Sequence, residues 1–125
     1  MTPEQQVALL RKQRSSWVDL EDGKSVLVQR PGEMQWREFM SFSEEGKVTG
    51  FSADLHHVQR YVTDWKGFTE ADVLGGAGGS DQLAFHPEVW AEVVLDQAAW
   101  YTKVAEKLCE MVTSHLAASA EKAKN

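Results

Sequence analysis

The spacing of apolar and polar residues changes period several times along the chain, and each change marks a predicted element. Ser16-Trp-Val-Asp-Leu20 and Ser25-Val-Leu-Val-Gln29 are apolar, β-branched runs on either side of Glu21-Asp22-Gly23-Lys24. Asp-Gly tolerates the positive φ angles of a tight turn, so residues 16–30 are read as a β-hairpin. It ends at Arg30-Pro31-Gly32, where proline cannot donate to a ladder and glycine permits a sharp turn. Beyond Glu33, Trp36, Phe39 and Met40 recur at i, i+3, i+4 and predict a short helix, broken by Ser43-Glu-Glu-Gly46. Ser52 is placed to cap a helix from Ala53 to about Trp65, in which Leu55, Val58, Tyr61, Val62 and Trp65 form a core-facing stripe.

Two prolines mark further helix starts. Thr2-Pro3-Glu4 combines an N-cap, a proline at the first helical position and an acid in the first turn, predicting a surface helix within residues 1–15. His86-Pro87-Glu88 repeats the form, and the helical pattern then runs to about Ala120 with a break near Asp96-Gln97. Between these regions Gly75-Gly-Ala-Gly-Gly79-Ser80 reads as a flexible loop, and residues 121–125 as a loose tail. The sum is a single α+β domain over residues 1–125. It is expected to be mostly α-helical, with an N-terminal β-hairpin and a helical body over residues 33–120.

Composition agrees with a folded chain, since 42% of residues are hydrophobic and 26% charged. No stretch approaches the ~20 apolar residues of a membrane span, and the N-terminus lacks a basic, apolar signal pattern. A lone Cys109 at an apolar helical position fits a small buried hydrophobe in a reducing compartment. The net charge of −6 is unevenly spread: residues 31–97 hold four basic and twelve acidic side chains. That acidic middle would repel phosphates, so nucleic acid is not an expected partner.

Candidate chemistry does not converge. His56 and His57 are neighbours and point about 100° apart on a helix, while His86 and His115 stand without companion ligands. His115 lies off the face of Cys109, which argues against a nucleophile and base pair. The glycines at 75–79 lack the Lys-Ser/Thr of a phosphate loop. Acid pairs such as Glu44-Glu45 read as solvated surface. No catalytic residue, metal site or cofactor is expected, and the chain is read as a protein-binding module rather than an enzyme.

Two groups of residues are the candidates for partner binding. Trp65, Phe68, Phe85 and Trp90 cluster around the glycine loop, where they either pin it to the core or form an exposed aromatic hot spot. Tyr101, Val104, Leu108 and Met111, followed by His115, recur at steps of three and four. They either pack on the protein's own core or form a seam for a partner helix or a homo-oligomer.

Two motifs carry a family resemblance. Val26-Leu-Val-Gln-Arg-Pro-Gly32 followed by a short helix resembles the strand and Arg-Pro turn near the start of tail assembly chaperones from long-tailed bacteriophages. Tyr61-Val-Thr-Asp-Trp-Lys-Gly-Phe68, a loop, then Leu83-Ala-Phe-His-Pro-Glu88 and a helix is similar to a Trp-x-Gly then Pro-Phe-Ser-x-Glu pattern of such proteins. The likeness spans roughly residues 25–112. Here His86 replaces the usual serine, Ala84 the usual proline, and Gly75 to Gly79 lengthen the loop. The resemblance implies a chaperone, in the cytoplasm of the bacterial host, that escorts the phage tape measure protein until tail tube protein subunits displace it. It also implies absence from the finished virion and, in many such families, a longer frameshifted product.

Overall fold

In the computed structural model, which describes residues 1–124, the first helix α1 (Pro3–Gln13) starts where the proline signal places it. The Thr2 hydroxyl accepts a hydrogen bond from the Gln5 amide at 3.1 Å, and the Gln5 side-chain oxygen accepts from the Thr2 amide at 2.8 Å. This reciprocal cap satisfies amides that no helical carbonyl reaches. No residue of α1 is buried.

The expected hairpin forms from β1 (Ser15–Asp19) and β2 (Ser25–Gln29), with Trp17 opposite Leu27 and Val18 opposite Val26. Asp22 and Gly23 both take positive φ, and the Lys24 amide donates to the Glu21 carbonyl across the turn. Val26 and Val28, two residues apart, point inward and are fully buried; Leu27 points outward with Trp17.

A third strand, β5 (Val62–Lys66), pairs antiparallel with the other edge of β2. This corrects the expected helix over 53–65. The helix present, α2 (Leu55–Tyr61), is shorter and is capped by Asp54, whose carboxylate accepts from the His57 amide, rather than by Ser52. The misleading signal has a physical origin. Val28 pairs with Val62 and Leu27 with Asp64, so Thr63 is an extra residue, a β-bulge. The bulge puts Val62 and Trp65 on the same buried face although they are three apart, which is the spacing a helix would give.

The short helix expected beyond Glu33 is present in 3₁₀ form, whereas residues 40–51 depart from the expected helical body. A 3₁₀ helix (Glu33–Phe39) buries Trp36 and Phe39, and a small hairpin follows, β3 (Met40–Phe42) with β4 (Val48–Phe51), turned through Ser43 to Gly46. The domain is thus a three-stranded sheet in the order β1-β2-β5, a separate two-stranded sheet and a set of helices. Helix makes up 54% of the chain and strand 20%.

The remaining elements close the core. After Thr69 come α3 (Glu70–Leu74) and a 3₁₀ turn (Gly75–Ala77), and then α4 (Pro87–Val94) and α5 (Ala98–Lys124). The expected break between the last two helices spans Leu95 to Gln97. The expected loose tail is instead helical through Lys124, and Asn125 lies outside the described residues. The glycine-rich stretch is docked rather than an open loop: the Ala71 amide donates to Gly79, Glu70 to Asp81 and Leu83 to Phe68. A Cβ on Gly78 would stand 2.4 Å from the Glu70 carbonyl carbon, so only glycine allows this approach. Among the described residues no helix is long and apolar enough to cross a membrane.

Candidate protein interaction site

The aromatic candidates form one continuous stack inside the protein. Trp65 stacks on Phe68 with ring centroids 4.4 Å apart and meets Phe85 edge-on at 5.3 Å. Phe68 meets Trp100 edge-on at 5.7 Å, and Trp100 lies parallel to Trp90 at 6.5 Å. Indole N–H groups find partners along the stack: Trp65 donates to the Leu83 carbonyl at 2.7 Å and Trp90 to the Val58 carbonyl at 3.1 Å. Trp65, Phe68 and Trp90 are buried, and Phe85 is half-buried against them. Burial with satisfied polar ends suits a core, and these rings hold the segment between β5 and α4 in place.

The α5 seam points the same way. Val104, Leu108 and Val112 are fully buried, while Tyr101 and Met111 are half-buried beside the core. The Tyr101 hydroxyl donates to the Ala53 carbonyl at 3.0 Å. Further along, the His115 Nε2 lies 3.2 Å from Glu33 and its ring meets Trp36 edge-on. The seam therefore packs on the chain's own sheet and on α2. Of the eight candidate side chains, Trp65, Phe68, Trp90, Val104 and Leu108 could meet a partner only if the fold opened.

Titratable groups are held in separate local arrangements. His57 is buried against Phe39, and its Nδ1 accepts from the Asp54 amide at 3.1 Å. Asp64 is exposed and accepts from the Trp65 amide. Asp72 accepts from the Thr69 amide and hydroxyl and pairs with Lys24 at 3.3 Å. The hydrogen bond donated by the Thr69 backbone amide is the main reason its carboxyl sits below the usual range, with Lys24 adding to it. Cys109 is half-buried rather than buried as expected, and desolvation pushes its thiol up against the opposing effect of a hydrogen bond with the Ala53 backbone. Among the described residues no three His, Cys, Asp or Glu side chains are grouped to hold a metal ion.

An exposed concave surface lies elsewhere, between α3 and α4. It is a groove of about 840 Å³. Val73 and Leu74 form one wall and Val89 and Val93 the other, while Glu88, Glu92, Asp96 and Asp72 line it with carboxylates. The construction follows from helix periodicity. Trp90 and Val94 turn into the core, Val89 and Val93 are half-buried beside it along the groove, and Glu88 and Glu92, four residues apart, share the solvent-facing ridge. Leu74 is 57% exposed at the lip. Such a surface suits an amphipathic segment with an apolar stripe and basic flanks.

Comparison with protein-family models, curated proteins and solved structures finds no match.

In sequence the groove's acids fall in the acidic middle of the chain, where Glu88 reads as part of a helix start and Asp96 as part of a helix break. The four-residue spacing of Glu88, Glu92 and Asp96 beside Val89 and Val93 is the signal that marks it. The α3 wall had no such signal, because its five residues fall in a stretch whose glycines dominate the reading.

Proposed function

We propose that this chain is a tail assembly chaperone of a long-tailed phage or prophage, acting in the cytoplasm of the bacterial host by binding rather than by catalysis. Its client is the tape measure protein, held as an amphipathic helix in the groove between α3 and α4 and released when tail tube protein takes its place. The observation that supports this most directly is the groove itself, which half-buried valines of α3 and α4 line together with four carboxylates. An apolar floor supplies affinity roughly in proportion to the area covered. The carboxylates select a basic flank and disfavour nucleic acid.

The resemblance in the sequence supplies the identity of the client. Its motifs have structural work in this fold: the Trp36 indole donates to the Pro31 carbonyl at 3.0 Å, and the His86 Nδ1 caps α4 by accepting from the Glu88 amide at 3.2 Å. An imidazole thus fills the place a serine hydroxyl would take.

Co-purification with fragments of a phage tape measure protein tests the reading. Binding at or below tens of micromolar, weakened by Glu88→Lys with Glu92→Lys, is the expected result. No binding to any fragment, or stable incorporation of the chain into purified virions, would overturn it in favour of a minor tail or head-tail connection protein.

A further inference from the structure

The outer face of the three-stranded sheet holds a second concave surface. Val26 and Val28 point inward, so Leu27 and Gln29 point out on the side of Trp17. Helix α1 leans over that face without burying any of its own residues, and the small side chain of Ala8 leaves a trough of about 740 Å³ between helix and sheet. Trp17 and Leu27, opposite each other in the ladder, give it apolar surface, and Gln29 gives it an amide. Among the described residues Arg11 and Lys12 of α1 are the only charged side chains that line it. A third cation, Lys66, stands over the Trp17 ring at 4.2 Å from its centroid.

None of these three cations has a carboxylate within 4 Å among the described residues. The acids nearest in the fold are placed otherwise. Asp19 accepts from the Ser25 hydroxyl at 2.8 Å, and Asp64, opposite Leu27, accepts from the Trp65 amide. Glu4 stands two turns before Arg11 on α1, outside the trough. In a chain of net charge −6, unpaired cations around an exposed tryptophan form a surface of opposite sign to the α3–α4 groove.

We propose that this trough binds a short acidic segment of another protein, one in which carboxylates flank an aliphatic or aromatic side chain. The apolar side chain rests on Trp17 and Leu27. The carboxylates meet Arg11, which can bind one with two parallel hydrogen bonds, and Lys12 and Lys66. Nucleic acid would bring charge to the cations but also meets the acidic bulk of the chain. The acidic groove of a second copy has suitable charge but is itself concave, and so does not enter a trough. Contacts at a solvent-open surface with partly screened charges make a weak and rapidly reversible complex. The trough and the α3–α4 groove use different residues, so this inference does not rest on the proposed client.

Titration of the full chain with the peptide acetyl-Asp-Glu-Leu-Phe-Glu-Asp-amide, read by the emission of the exposed Trp17, tests it. A Kd of about 0.1–1 mM is expected at low salt, weakened at least about fivefold at 0.5 M salt. The neutral counterpart Asn-Gln-Leu-Phe-Gln-Asn and the acidic but apolar-free Asp-Glu-Gly-Gly-Glu-Asp should each bind at least about fivefold more weakly. Arg11→Glu with Lys12→Glu, both at exposed positions, should weaken binding at least about tenfold while circular dichroism shows the fold intact. Glu88→Lys with Glu92→Lys should leave it unchanged, which separates the trough from the client groove. No response up to about 5 mM peptide, equal affinity for the neutral peptide or for a thymidine oligonucleotide, or indifference to the Arg11 and Lys12 reversal would overturn the proposal. So would self-association, seen by sedimentation velocity, that this reversal abolishes and the peptide cannot displace, because the occupant would then be a second copy.

Discussion

Gly67 lies against Gly23 so closely that a Cβ at position 67 would sit 2.2 Å from the Gly23 carbonyl oxygen. The residue also has a φ of 81°, so a side chain there meets both a backbone clash and an unfavourable conformation. The contact seats the hairpin turn on the end of β5. Gly67→Ala is expected to cost about 2–4 kcal/mol, combining left-handed strain with displacement of a backbone that cannot rotate away. Urea unfolding measures this, and a midpoint equal to that of the wild type would show that the turn does not rest on β5.

Leu108→Ala separates the two roles considered for the α5 seam. The side chain is fully buried, so its truncation should lower stability by about 2–5 kcal/mol. Association of the molecules that remain folded should be unchanged. Preserved stability with altered association would make the seam an interface.

The tryptophans should divide by solvent access. Trp36, Trp65, Trp90 and Trp100 are at most 5% exposed, whereas Trp17 is 41% exposed on the outer sheet face, with the Lys66 ammonium 4.2 Å from its ring centroid. Acrylamide should quench one component of the fluorescence, and Trp17→Phe should abolish that component while changing stability by less than about 1 kcal/mol. Quenching that survives the substitution would mean that the core aromatics are accessible.

Acid sensitivity should trace in part to Asp72. Its carboxyl is lowered by the Thr69 amide, then by the Thr69 hydroxyl and Lys24, so it binds a proton less readily folded than unfolded. The sign follows: the stabilisation is present above the ordinary carboxylate pKa and is lost as pH falls through the lowered folded value. Asp72→Asn should therefore reduce stability at neutral pH by about 1 kcal/mol, the upper end for a pair that is only partly covered. It should also flatten the decline on acidification. Urea midpoints compared at neutral and acidic pH check both, and an equal slope in the two proteins would remove Asp72 as a source.

The parts of the fold that announce themselves in sequence are those set by one or two residues. Asp22-Gly23 and the two proline starts act locally, through φ preferences and missing amide donors, and each stands where it was expected. Strand β5 was hidden because its identity depends on pairing with β2 and on the extra residue at Thr63, neither of which a local period can reveal. The β3–β4 hairpin was hidden for a different reason. Its strands have three and four residues and lack a fully buried side chain, so the alternation is too short to register. The aromatic group was legible as a cluster, but whether it faces inward depends on Trp100, which closes the stack from another helix.

The turn of the first hairpin binds parts of the chain that are far apart in sequence. Glu21 accepts from the Trp100 indole, the Leu20 carbonyl from the Lys103 ammonium, and Lys24 pairs with Asp72. Closing such long loops is slow, because the entropy of bringing the ends together is lost before any contact compensates for it. The hairpin itself closes locally, and its docking on α3 and α5 is the step that carries this cost and ties distant parts of the chain to one turn.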